Sequence, residues 1–261
     1  MMMLLPTLFQ YLQVNIAIIM LAIIRISIVV YVLPIIGEKL LSNIIIKNSV
    51  ILAIVIGLWP KLHLVTDMHH SIFLMLAGEV VIGLILAAVT ALPFWAANAM
   101  GEFIDNQRGA TISDSIDPVS RSQSSLLSGF FNFSAGVIFL QLGGMRLLLD
   151  TVIESYQLFP PGGDPGAISW QSVGELITSL VKTGLILASP VLMAMMITEL
   201  MLGIFSRYCP QLNPFSLAMV VKSFIAFSVL FLYGSTALQH LFLNGAYTHW
   251  LHVFATPVRE S

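Results

Sequence analysis

Six long apolar runs, over 14–36, 44–59, 72–97, 126–149, 176–204 and 215–243, make up most of the chain. None alternates with the period of two that a half-buried strand requires, and most approach or exceed the roughly 20 residues a helix needs to cross hydrocarbon. The pattern predicts an all-α, membrane-class protein with about six hydrophobic helical segments. Several of these segments are flawed as lipid-facing spans. The first carries Arg25 and ends on Pro34, and the second is short, opens on Lys47 and Asn48, and closes at Pro60. Glu79 and Pro93 interrupt the third, Lys182, Pro190 and Glu199 the fifth, and Lys222 the sixth. Broken helices are tolerated at membrane depth only where protein or water re-satisfies the backbone. In the fourth run Gly129, Gly136, Gly143 and Gly144 permit close approach of neighbouring helices.

The connections are uneven in character. Residues 61–71, with His63, Asp67, His69 and His70, read as an aqueous link, and 150–175 holds Pro160, Pro161, Gly162, Gly163, Pro165 and Gly166, which no helix survives. Pro210 and Pro214 interrupt the stretch from Arg207 through Cys209, Gln211 and Asn213, as expected at the tip of a helical hairpin. The central connection stands apart. In a chain with only 9% charged residues, Glu102, Asp105, Arg108, Asp114, Asp117 and Arg121 fall close together. A solvated link between two spans explains this composition. So does a loop that lines or seals a passage, since Gly101 and Gly109 free the backbone and Ala110, Ser113 and Ser115 are small.

Charges inside apolar runs demand partners. On insertion scales a central Arg, Lys or Asp costs about 2.5–3.5 kcal/mol, so Arg25, Glu79, Lys182, Glu199 and Lys222 are expected to face something other than lipid. Internal ion pairs, a proton or ion path, and subunit interfaces all satisfy that demand. Hydrophobic residues make up 57% of the chain, beyond the roughly 45–50% of soluble domains. A net charge of −2 supplies no basic footprint for nucleic acid. The one cysteine, Cys209, precludes an intrachain disulfide. No phosphate-binding Gly-rich loop with lysine, no zinc-binding His-Glu-His helix and no serine elbow is present. Adjacent His69 and His70 make a poor chelate, so neither enzyme nor cofactor is expected. With no basic residue before Arg25, the first apolar segment is expected to be retained. Lys39, Lys47, Arg108, Arg121 and Arg207 outnumber Lys61, Arg146 and Arg259, which makes the first set the expected cytoplasmic side.

Several motifs, in order, carry a family likeness. Phe103, Ile104, Asp105, Asn106, Gln107, Arg108, Gly109 and Ala110, following Pro93, Phe94, Trp95 and Ala96, resemble the central signature of the T component of the bacterial type III secretion export apparatus, the SctT/FliR family. Gly78, Glu79, Val80, Val81, Ile82 and Gly83 resemble its third-segment motif, and Glu154, Ser155, Tyr156 and Pro160 its Ser-Tyr-to-Pro stretch. Glu199, Gly203, Arg207, Pro210, Gln211, Leu212, Asn213, Lys222 and Ser223 resemble its C-terminal hairpin. Val220 and Val221 stand where the family often has a proline.

The resemblance implies one family domain over 1–261: N-terminal helices to 97, a plug-like loop over 98–125, a fourth segment over 126–149, a connection over 150–175, a hairpin over 176–243 and a tail. It implies an R-like fold followed by an S-like hairpin, with one copy joining about five R and four S subunits in a helical cone in the bacterial inner membrane, displaced towards the periplasm. The U-type switch subunit is a further implied partner, and unfolded secreted proteins are the implied cargo. Pore-plug residues are then expected at Gly101, Asp105, Asn106, Gln107, Arg108, Gly109, Ala110, Ser113, Asp117 and Pro118. Anchoring or intersubunit roles fall to Arg25, Glu79, Glu199, Arg207, Pro210, Gln211, Asn213 and Lys222. A different class, a secondary transporter using Glu79 and Lys182 at broken helices, would show an inverted repeat, and none is visible.

Overall fold

The computed structural model describes residues 4–34, 43–62, 72–109, 125–160, 170–208 and 214–243. Seven helices account for most of these residues, and no strand occurs among them. They are α1 (Leu4–Val32), α2 (Ile44–Leu62), α3 (Ile72–Arg108), α4 (Leu126–Gln141), α5 (Gly144–Leu158), α6 (Trp170–Tyr208) and α7 (Pro214–Leu243). Among the described residues, Phe73–Arg108, Gln171–Tyr208 and Leu217–Phe242 are long and apolar enough to cross a membrane, whereas Ile16–Val32 and Ile44–Leu58 are apolar but shorter.

Two segment boundaries differ from those the hydrophobic pattern predicts. Helix α3 runs through Arg108, so residues 98–108 are helical and not part of a loop; the polar side chains there find partners that keep the helix intact. The fourth run breaks at Gly143, which adopts a left-handed φ of 74° open to glycine, and a new helix then continues to Leu158. The first residues of the expected 150–175 connection are therefore helical. Pro190, by contrast, breaks nothing. Its ring removes the hydrogen bond to the carbonyl of Ile186, and the Ser189 hydroxyl donates to that same carbonyl at 2.7 Å.

The chain divides into two compact units. The first holds α1, α2, the beginning of α3 to Ala91, and α5. Its core face on α1 is Leu21, Ala22, Ile26, Val29 and Val30, a helical repeat into which Arg25 falls. Gly83 of α3 lies against α1; a Cβ there would sit 3.3 Å from the Arg25 carbonyl oxygen. This close approach brings the Arg25 side chain to Glu79, one turn earlier on α3.

The second unit holds the rest of α3 with α4, α6 from Glu175 onwards, and α7. Phe94, Phe139 and Phe242 join α3, α4 and α7 in an aromatic cluster with centroids 5.3–5.7 Å apart. Gly184 lets α6 approach the Ala96 carbonyl of α3, where an added Cβ would lie at 3.3 Å. Much of α6 and α7 is apolar yet uncovered, including Leu200, Met201, Ile204, Phe224, Phe231 and Leu232.

Candidate functional site

Two buried charged residues organise the polar chemistry, one in each unit. In the first, all five N–H groups of Arg25 are used. Its Nε and Nη2 donate to the two carboxylate oxygens of Glu79 at 2.6 and 2.9 Å, and Nη2 also donates to the Phe159 carbonyl at 3.0 Å. Nη1 donates to the carbonyl and the hydroxyl oxygen of Ser155 at 3.2 and 3.4 Å. The Tyr156 ring covers the guanidinium, 4.1 Å from Cζ to centroid. Both charges are withdrawn from solvent, at 0% and 1% exposure. Arg25 therefore does two things at once. It neutralises Glu79, and it places a cation on the last carbonyls of α5, where the helix dipole is negative. The Tyr156 hydroxyl is buried without a hydrogen-bond partner among the described residues.

The second unit shows the converse arrangement, an anion at a helix start. Asp105, in the last turn of α3, accepts from Arg108 Nε and Nη2 through Oδ1, both at 2.7 Å. Its Oδ2 accepts from the Leu127 backbone N–H at 3.0 Å and from the Ser125 hydroxyl. Ser125 is the N-cap of α4, and its Oγ in turn accepts from the Ser128 N–H at 3.0 Å. The carboxylate thus sits where α4 offers unpaired donors and a positive dipole end. Gly101, one turn before Asp105, makes this fit possible. A Cβ there would lie 2.5 Å from both Cα and N of Ser128, so only glycine lets α3 and the start of α4 pack this closely.

The last turn of α3 also reaches the other two helices of its unit. Gln107 Nε2 donates to Glu199 Oε2 on α6 at 3.4 Å, and the same oxygen accepts from Lys222 Nζ of α7 at 2.9 Å. The Arg108 guanidinium lies 5.5 Å from the Phe227 ring centroid on α7. Beyond it an apolar groove of about 770 Å³ extends along α4 and α7, lined among others by Leu127, Phe130, Phe131, Phe227, Phe231 and Leu238. Helix α3 ends at Gly109, whose φ is 79° and whose N–H bonds the Asn106 carbonyl at 3.1 Å.

The expected site residues divide accordingly. Gly101, Asp105, Gln107, Arg108 and Gly109 come together at the base of the central stretch, while Asn106 points outward. Arg25 pairs with Glu79, and Glu199 with Lys222. Arg207 and Lys182 are exposed on α6. Ala110, Ser113, Asp117, Pro118, Pro210, Gln211 and Asn213 lie outside the described residues. Both Glu79 oxygens accept from Arg25, and at 1% exposure the carboxylate is closed off from solvent. Sequence reasoning assigned no role to Ser125, Ser155, Tyr156 or Phe227, although Ser155 and Tyr156 stand in a family motif. Ser125 was findable as a serine directly before an apolar run, the usual N-cap signature. Among the described residues no three His, Cys, Asp or Glu side chains form a metal-binding group.

Fold and site together define an all-α, membrane-class protein whose buried charges hold helix ends in place. The chain belongs to the bacterial export proteins, family 1, whose family model matches residues 16–244. It is 34% identical over 218 residues to the surface presentation of antigens protein SpaR of Salmonella typhimurium, covering 82% of this chain and 81% of SpaR. The Yop proteins translocation protein T of Yersinia pestis is 29% identical over 216 residues, 80% of this chain and 82% of that protein. The flagellar biosynthetic protein FliR of Bacillus subtilis is 29% identical over 170 residues, 63% of this chain and 64% of FliR.

Proposed function

We propose that this chain is the T-type subunit of a type III secretion export gate in the bacterial inner membrane, with its assembled core displaced towards the periplasm. One copy joins about five R-type and four S-type subunits, together with the U-type switch subunit, around a passage for unfolded secreted proteins. The stretch from Asp105 to Arg121 helps close that passage, and its first residues, in the last turn of α3, are held in place against Ser125. The observation that carries this reading is the placement of Asp105: one carboxylate grips the helix that leads into the central stretch and the helix that leads out of it. A sealing segment needs such a rigid base, because a seal held only by flexible ends would not return to one position. The uncovered apolar faces of α6 and α7 support docking of partner subunits and lipid. The match to the Yop translocation protein is longer than that to FliR, which supports a virulence-type over a flagellar system.

Two measurements test this. Tagged chain, co-expressed with R and S components and extracted in detergent, is expected to give a native mass for one T with about five R and four S; isolation as a lone monomer or homodimer would overturn the assembly. Deletion of residues 110–120 is expected to leave that mass unchanged while the membrane leaks small ions. An intact seal after the deletion would sink the sealing role.

A further inference from the structure

The base of the central stretch is held from a third direction, by the pair α6 and α7. Glu199 lies about as far before the end of α6 as Lys222 lies after the start of α7, so their ion pair bridges two antiparallel neighbours. That bridge sits at the level where the last turn of α3 arrives, and Glu199 Oε2 serves both Lys222 and Gln107. The two partners differ in exposure. Glu199 is 56% exposed, whereas Lys222 keeps only 10%. A lysine withdrawn this far from water is held by its counter-ion, and loss of the carboxylate draws the ammonium outwards. The next residue of α3, Arg108, leans on Phe227, little more than one turn along α7 from Lys222. Adjacent residues of one turn are thus tied to adjacent helices, and the residue gripping α4, Asp105, lies on the same turn.

We propose that Glu199 and Lys222 are positioning residues of the gate: through Gln107 and Arg108, the α6–α7 pair sets the position of the Asp105 base and with it the tightness of closure. This rests on the sealing role assigned above. A merely scaffolding ion pair would change how much complex forms; a positioning pair changes how well the formed complex closes.

The test uses the full chain assembled with its partners in bacterial membranes, with small-ion leak normalised to the amount of complex. Glu199→Gln and Lys222→Gln are each expected to raise leak about two- to fivefold, as suits a half-exposed ion pair. The double exchange Glu199→Lys with Lys222→Glu is expected to restore tightness, because the Gln107 amide can turn its oxygen to the exchanged charge. Singles as tight as wild type, or leaky singles that the exchange does not rescue, would overturn the proposal. Should the charge variants fail to assemble, Gln107→Ala keeps the Glu199–Lys222 pair and removes only its link to α3. It is expected to raise leak about two- to fivefold; a seal as tight as wild type would refute the link. If the 110–120 deletion leaks while every one of these variants stays tight, the sealing role stands and only the positioning role falls.

Discussion

Gly101→Ala isolates the fit between α3 and α4 with a single methyl group. In most helix interiors this substitution stabilises, because alanine loses less backbone entropy, by about 1 kcal/mol. Here the added Cβ would lie 2.5 Å from Cα and N of Ser128, against an ordinary contact of 3.4 Å or more. The obstacle is backbone, so it cannot rotate away. The start of α4 must retreat by about 1 Å, which stretches the 3.0 Å bond from Leu127 N–H to Asp105 beyond hydrogen-bonding reach. Overpacking costs about 1–3 kcal/mol, and losing a bond to a buried carboxylate about 1.5–3 more. Set against the propensity gain, the net loss is about 2–5 kcal/mol, or a fall in midpoint of roughly 5–15 °C for a chain of this size. Gly129→Ala in α4 is the control. Nothing lies within 4 Å of its Cβ position, so it is expected to match or slightly exceed wild type. Heating detergent-solubilised chain and following helical content reads both. A Gly101→Ala chain as stable as Gly129→Ala would refute the close approach and the grip of Asp105 that depends on it.

The other buried cluster and the helix cap make separate predictions. Glu79→Ala leaves the Arg25 guanidinium buried without its counter-ion and is expected to cost about 3–5 kcal/mol, whereas Arg25→Met with Glu79→Leu should be less damaging than either single change, as thermal unfolding of the three variants would show. Ser125→Ala removes the hydroxyl linking Asp105 to Ser128 N–H and should lower stability by about 1 kcal/mol, with Ser125→Thr close to wild type in the same assay. Glu199→Lys is expected to impair incorporation into the complex more than Glu260→Lys, measured by co-purified partner subunits; equal incorporation would argue against an interface role for Glu199.

The sequence reveals which residues must find partners more readily than it reveals the partners. Arg25, Glu79, Glu199 and Lys222 stand out because each is too costly to leave in an apolar run, and an i, i+3 spacing suffices to suggest the Asp105–Arg108 pair. Spacing along one helix says nothing about the next. That Glu79 belongs to Arg25 depends on Gly83 bringing two backbones together, and that Asp105 belongs to the start of α4 depends on Gly101 doing the same. The misplaced boundaries have the same origin. Residues 98–108 look like a loop because they are polar, yet they stay helical because α4, α6 and α7 satisfy them from outside. Hydropathy weighs each residue against lipid or water, but the cost of a charge is set by what it touches. Arg25 is cheap to bury because a carboxylate and the spent end of α5 are waiting for it, and Asp105 because the start of α4 is. Each ion closes a helix end that would otherwise need water. On that ground the charges are parts of the helical framework, and they hold it at the end of α5 and at the start of α4.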